Sequence, residues 1–250
     1  MKISLITVSF NSASTIRDTI ESVLSQTYDD IEYIIVDGLS SDNTVAIIKE
    51  YEPLFKKKMR WVSEKDKGLY DAMNKGFTMA TGDVVGIINS DDLLAEPDVI
   101  KKVMQIFNTQ NVDCVYADLY YVSQHDTDNI VRHWRSGEVR AFSKGWHPAH
   151  PTFYVKKEVY ERCGLFNLKY KLAADFEIML RLVERYKISM TYLREPLVRM
   201  RLGGATSKNI QNIIKGNIEC YNAFKENGIP VSIFYPLYRI LPKFKQFIHK

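Results

Sequence analysis

A chain of 250 residues with 46% hydrophobic and 26% charged residues can bury a sizeable core, which excludes disordered and fibrous classes. The net charge of +4 is too slight to imply a nucleic-acid partner. Three scattered cysteines, Cys114, Cys163 and Cys220, exclude a disulfide framework and read as reduced thiols.

The first elements alternate. Ile3, Leu5, Ile6 and Val8 form a buried strand that empties into Ser9 and Asn11. Ile16, Ile20, Val23 and Leu24 then recur at helical spacing, with Ser12 or Ser14 as N-cap. Ile31 to Val36 is a second buried strand ending at Asp37-Gly38, and Asp42 caps a helix through Val45, Ile48 and Tyr51. A weaker strand, Arg60 to Ser63, precedes a helix through Leu69, Met73, Phe77 and Ala80, which stops at Thr81-Gly82. Val84 to Ile88 runs straight into Asn89-Ser90-Asp91-Asp92, and Pro97 opens a helix with Val99, Val103, Ile106 and Phe107.

Such alternation predicts crossover units and an α/β fold with a mostly parallel, doubly covered sheet. Ligands of these sheets bind at the carboxyl ends of strands. Thr7 to Asn11, Asp37, Glu64 to Gly68 and Asp91-Asp92 all follow such an end. The second half is less regular: a strand at Cys114 to Val122, a short helix Lys157 to Cys163 closed by Gly164, a helix through Phe176, Met179, Leu180 and Val183, a strand Ile188 to Leu193, and a longer helix from Ile210 to Phe224 that ends at Asn227-Gly228.

Adjacent carboxylates at a sheet edge call for a cation, and hard oxygen ligands select magnesium or manganese. The plainer role for Asp91-Asp92 is loop solvation or capping of the Pro97 helix. Thr7 to Thr15 holds neither glycine nor lysine, which disfavours a nucleotidyltransferase phosphate loop, and the first strand lacks the Gly-x-Gly-x-x-Gly of dinucleotide-binding dehydrogenases.

Thr7-Val8-Ser9-Phe10-Asn11, Val36-Asp37-Gly38-Leu39-Ser40-Ser41-Asp42-Asn43-Thr44 and Asn89-Ser90-Asp91-Asp92 resemble, in order and spacing, the family 2 glycosyltransferases of the GT-A fold. The stretch Ser63 to Gly76 is similar to the subgroup that builds bacterial exopolysaccharide, capsule or O-antigen units. The resemblance is strong over Met1 to Tyr121 and looser to Ser207. It implies a nucleotide-sugar donor, UDP-linked, contacted by Thr7, Ser9, Asn11, Asp37, Glu64, Asp66, Lys67, Gly68 and Asn74. It further implies Asp91 near the ribose and metal, Asp92 as direct ligand of Mg2+ or Mn2+, and inversion at the anomeric carbon. Many members carry Asp where this chain has Asn89. The family's catalytic base, an acid near the start of a later helix, matches Asp175 in Ala173-Ala174-Asp175-Phe176-Glu177, with Glu177 the lesser choice and an N-cap the plain role.

Arg199, Arg201, Gly203-Gly204 and Ser207 form a basic, glycine-bearing segment in which Arg201 is a candidate diphosphate contact, against a plain surface turn. His147 and His150 lack the companions of a zinc site. His150 resembles an acceptor-side position or is a structural histidine, and Trp146 is a sugar-stacking ring or core. Residues 1–207 are expected to form the transferase domain, with a donor half 1–121 and an acceptor half 122–207; the acceptor is a glycan or lipid-linked saccharide. Residues 208–250 are expected to be a helical tail, and Val231 to Lys250 mixes apolar and basic residues as a membrane-interface segment does. Met1 to Phe10 lacks a signal peptide's layout, so the expected place is the cytoplasm, peripheral at the inner membrane face. The rival from another class is a non-catalytic nucleotide-sugar sensor or scaffold in a polysaccharide assembly complex.

Overall fold

The computed structural model describes residues 1–203 and 210–236. In chain order the elements are β1 (Ile3–Ser9), α1 (Ile16–Leu24), β2 (Ile31–Asp37), α2 (Thr44–Tyr51), β3 (Met59–Ser63), α3 (Leu69–Met79), β4 (Val84–Ile87), β5 (Asp92–Leu94), α4 (Val99–Thr109), β6 (Cys114–Val122), β7 (Ile130–Trp134), β8 (Tyr154–Lys156), α5 (Lys157–Cys163), α6 (Ala174–Leu180), β9 (Met190–Arg201) and α7 (Ile210–Glu226). One sheet runs β3-β2-β1-β4-β8-β6-β9-β5, with β7 beside β6. Its first half, β3-β2-β1-β4, is wholly parallel.

Strands β1 and β2 are buried at every position, the pattern of strands covered on both faces. Alternation sends Leu5, Tyr33 and Ile35 to one side, against α1, α2 and α4, and Ile6, Ile34 and Val36 to the other, against α3, α5, α6 and α7. Each fully buried aliphatic side chain contributes about 1.5–3 kcal/mol. Packing therefore holds these two strands firmly, and the polar residues at their carboxyl ends sit on rigid supports. Helix α3 lies so close to β1 that a Cβ on Gly76 would come within 2.4 Å of Ile6.

Several elements differ from the sequence expectation. Neither Ser12 nor Ser14 caps α1 through its side chain; Ile16 N bonds to the Ser12 carbonyl at 2.9 Å, and Thr15 holds the cap position. A turn separates β4 from the acidic pair: Asp92 N bonds to Asn89 O at 3.1 Å, and Asp92 opens β5. The strand expected to end at Leu193 continues as β9 to Arg201, bulging where Pro196 cannot donate. The Arg199–Arg201 segment is therefore strand. Trp146 is core, edge-on to Phe142 at 5.3 Å with its indole N–H donated to Ser136 O at 2.7 Å. Tyr235 is fully buried against Phe224, while Gly204, Ser207 and the tail from Leu237 lie outside the described residues.

Candidate active site

Pairing register places Ser9, Asp37 and Ser63 side by side at the carboxyl ends of β1, β2 and β3. Asp37 is fully buried. It accepts from Ser9 Oγ at 3.0 Å, Ser40 N at 2.9 Å, Ser40 Oγ at 2.5 Å and Ser63 Oγ at 2.7 Å. A charge taken from water needs such donors, so Asp37 ties three strand ends into one knot. Asn11, at φ 49, takes a left-handed conformation that asparagine tolerates. Its N–H donates to Ser40 Oγ at 2.8 Å and its Oδ1 accepts from Ser41 N at 2.9 Å. The first two loops are locked together.

Gly38 is where three segments meet. A Cβ there would stand 2.6 Å from Asp66 Oδ2 and in ordinary contact, at 3.5 Å, with the Phe10 ring, so the glycine makes room for the Asp66 carboxylate. Phe10 is 65% exposed on this rim. The sequence reading passed over it, because its motif position gives no sign that the ring faces out. Asp66 Oδ1 accepts from Gly68 N at 2.8 Å, and Gly68 itself, at φ 118, has a backbone only glycine adopts freely. Lys67 N donates to Asp71 at 2.9 Å, and exposed Glu64 pairs with Lys75 at 2.8 Å.

Two expected contacts lie elsewhere. Thr7 is fully buried inside the sheet, donating to Ile88 O at 2.9 Å and accepting from Tyr33 at 3.0 Å. Asn74 uses both ends of its amide on the Phe166 backbone, each at 3.0 Å. Both side chains brace the site from behind.

Asp91 is partly exposed, whereas Asp92 is 1% exposed. Asn89 donates to Asp92 Oδ2 at 2.8 Å, a bond that a second carboxylate at this position could not give when ionised. Asp92 Oδ1 is buried with no hydrogen-bond partner. Burial raises the pKa of both acids; for Asp92 the neighbouring Asp91 adds to the rise and Asn89 opposes it, and for Asp91 its own backbone and Arg201 oppose it. An orphaned carboxylate oxygen beside a second carboxylate is a donor set that suits a hard dication. Among the described residues no cluster of three His, Cys, Asp or Glu side chains completes a cage, so the remaining ligands would have to be substrate and water.

Arg201 is 5% exposed at the end of β9. It donates to Asp91 O at 2.8 Å and Gln124 O at 3.3 Å and pairs with Asp18. It thus fastens the acidic loop to α1 and β9, with these partners in place of a free phosphate-binding face.

Asp175 is the second residue of α6, with Ala173 at the cap position. Its Oδ1 accepts from Tyr70 Oη at 3.1 Å and from Phe176 N at 2.8 Å; Oδ2 takes neither bond. Glu177 is buried and paired with Arg181 at 2.9 Å, a structural ion pair. His150 packs edge-on to Phe166 at 5.7 Å; burial lowers its pKa while the Asp175 charge opposes this, so the imidazole is neutral at pH 7. Sequence reasoning also missed Glu219 on α7. Its carboxylate accepts from the N–H groups of Lys171, Leu172 and Ala173 at 3.1, 2.8 and 2.9 Å, just ahead of α6.

A profile described as Glycosyl transferase family 2 matches residues 4–166. An uncharacterised glycosyltransferase of Mycobacterium tuberculosis is 31% identical over 183 residues, 72% of this chain and 68% of its own length. The PGL/p-HBAD biosynthesis glycosyltransferase of Mycobacterium bovis is 25% identical over 215 residues, 83% and 79% of the two chains. Among solved structures, S. aureus TarS in complex with UDP-GlcNAc aligns with TM-score 0.64 at 16% identity, covering 91% of this chain and 65% of that one; a longer TarS chain is covered over only 43% of its length, with TM-score 0.63 at 17% identity and 90% of this chain covered. The mannosyltransferase PcManGT from Pyrobaculum calidifontis, in complex with GDP-Man and Mn2+, aligns with TM-score 0.68 at 17% identity, covering 96% and 72%. These likenesses show a GT-A-like α/β fold.

Proposed function

The chain belongs to glycosyl transferase family 2 and is a glycosyltransferase; from that premise we propose an inverting transfer of a sugar from a UDP-linked donor to a hydroxyl of a glycan or lipid-linked saccharide in cell-surface polysaccharide biosynthesis. The observation that carries the reading is the knot of loops around Asp37, with Phe10 and Asp66 at its rim, beside a carboxylate pair with an unpaired buried oxygen. A nucleoside fits the first feature: an aromatic face for the base, and acids and hydroxyls for its polar edges. The donors in the solved relatives, UDP-GlcNAc and GDP-Man, belong to this chemical class.

Asp92, the expected direct ligand with an unpartnered oxygen, would hold Mg2+ or Mn2+ together with Asp91 beside it. When bound, the ion supplies stabilisation of the charge that develops on the leaving diphosphate. Asp175 is the proposed base. Tyr70 and the Phe176 N–H fix its Oδ1, which leaves Oδ2 to take the acceptor's hydroxyl proton as the hydroxyl oxygen attacks the anomeric carbon. The new bond forms opposite the breaking carbon–oxygen bond to the diphosphate, so the anomer inverts. Neutral His150, close enough to feel the charge of Asp175, is placed on the acceptor side of this reading.

The proposed location is the cytoplasmic face of the membrane, with peripheral contact through the tail. Ile233 and Phe234, 73% and 55% exposed, support a membrane-facing start of the tail. Among the described residues no helix is long and apolar enough to cross a membrane.

The test compares wild type with Asp175→Asn for manganese-dependent nucleotide binding and for release of nucleoside diphosphate from nucleotide sugars. Binding kept with turnover lost is the expected result. Unchanged turnover removes Asp175 from its role, and nucleotide binding without turnover in the wild type, whatever acceptor is offered, favours a sensor or scaffold.

A further inference from the structure

The β6–β7 hairpin carries aromatic rings that run from the acidic pair toward the proposed base. Pairing register puts Asp92, Met200, Tyr121 and Arg132 on one rung across β5, β9, β6 and β7, and paired residues stand on the same face of a sheet. Two positions on, the next rung of the same face holds Leu94, Val198, Leu119 and Trp134. Tyr121 thus stands two strands from Asp92 on the same rung, and the Arg132 guanidinium covers its ring at 4.1 Å.

Trp134 lies parallel to Tyr121, 7° apart in plane with centroids 6.1 Å apart. Its other neighbour is the His147 ring, edge-on at 5.3 Å, and His147 in turn meets Phe176 at 5.7 Å. Phe176 directly follows Asp175. Phe142, Trp146 and Phe176 are buried, but Tyr121, Trp134 and His147 all keep partial exposure. Tyr121 and Trp134 pack in part against the core that holds Leu119 and Val198 and keep an exposed remainder. A partly open aromatic surface spans the interval between the acids and the base, which is the interval an acceptor must occupy.

We propose that Trp134, flanked by Tyr121 and His147, is a stacking platform for a sugar ring of the acceptor, which makes the acceptor a saccharide and not a bare lipid alcohol. This rests on the glycosyltransferase reading of the same site. A pyranose offers a flat C–H face to an aromatic ring and its hydroxyls to the polar groups around it; binding sites combine such apolar walls with a few convergent polar groups. Trp134 has the largest of the three ring systems and sits in the middle of the row.

The test uses wild type, Trp134→Ala, Trp134→Phe and His147→Ala in two assays. One is the thermal shift by UDP, GDP, CDP, ADP and dTDP with manganese. The other is capture by an array of immobilised bacterial and synthetic oligosaccharides, with the shifting nucleotide present. The platform predicts that wild type captures a saccharide, Trp134→Phe keeps most of it, His147→Ala weakens it, and Trp134→Ala loses about tenfold or more, the scale of a truncated aromatic anchor, while the nucleotide shift remains. If Trp134→Ala does not fold, the graded losses in Trp134→Phe and His147→Ala decide. Equal capture by wild type and the Trp134 variants overturns the platform, as does a wild type that shifts with nucleotide yet captures no saccharide. Trp134-dependent capture with no nucleotide shift in any protein keeps the platform and removes the donor reading instead.

Discussion

The Tyr70 hydroxyl donates to Asp175 Oδ1 across 3.1 Å, joining helices whose residues stand 105 positions apart in the chain. Burial and the Asp175 charge hold the Tyr70 pKa well above its ordinary value, so the phenol stays a donor at any working pH. Hydrogen bonds to charged groups are worth about 1.5–3 kcal/mol. Replacing Tyr70 by Phe is expected to leave nucleotide binding unchanged and to lower kcat by roughly tenfold or more, measured as nucleoside diphosphate released at saturating donor. An unaltered kcat would separate Tyr70 from the reaction.

Arg201 gives a second prediction. Its partners are Asp91 O, Gln124 O and Asp18, and Asp18 is half-exposed, which limits the ion pair's own worth. Arg201→Ala removes buried donors and is expected to cost about 2 kcal/mol in thermal unfolding. Manganese should weaken in its effect on nucleotide binding, because the loop that carries Asp91 loses its tether. Arg201→Lys should restore little, since one ammonium cannot reach three partners held by a planar fork.

The legible parts of the sequence were those governed by short-range rules. Strand β6 and helix α5 fall on the residues that periodicity named, Cys114–Val122 and Lys157–Cys163, and Gly164 closes α5 at φ 88 as its position required. Strands β5, β7 and β8 span only three to five residues; β5 and β8 exist through antiparallel partners far along the chain, which no local pattern encodes, and β7 through its hairpin with β6. Arg201 read as a loop cation because glycines follow it, whereas its partners, Asp18 and Asp91, are 183 and 110 residues away. The motif residues around Asp37 could be named from order and spacing. Their hydrogen bonds, the outward turn of Phe10 and the inward turn of Thr7 depend on how three loops close on one another.

Glu32 makes stability depend on pH at the opposite end of the sheet. Burial alone would raise its pKa, but bonds from Ser4 and Thr81 and the charge of Arg60 outweigh this and hold it at about 2. A depressed acid stabilises the folded state above its unfolded pKa, and that contribution fades as pH falls from about 4.5 toward 2. Glu32→Gln is expected to lose about 1–2 kcal/mol at pH 7, after allowance for solvent screening, and to flatten the acid limb between pH 5 and 2. Thermal melts across that range provide the check; parallel curves for the two proteins would contradict it.

Glu219 couples α7 to the start of α6. Its carboxylate gathers the N–H groups of Lys171, Leu172 and Ala173, and Asp175 follows within four residues of the first. Glu219→Ala leaves these donors without their anion and should cost about 1–3 kcal/mol. It should also lower kcat with little change in donor KM, because the base shifts while the nucleotide site does not. Glu219→Gln, which keeps one acceptor oxygen, should fall between the two proteins in the same assay.

The central claim, a metal-dependent nucleotide-sugar site at the carboxyl ends of β1 to β4, is tested most directly by thermal unfolding with UDP, GDP, CDP, ADP and dTDP, each with and without manganese. Wild type, Asp91→Ala and Asp92→Ala are compared. A ligand at a hundred times its dissociation constant stabilises by about 2.7 kcal/mol. The predicted result is a manganese-dependent shift for one nucleotide in the wild type, lost in both variants. No shift with any nucleotide, or a shift that persists unchanged when both acids have been removed in turn, would contradict the account.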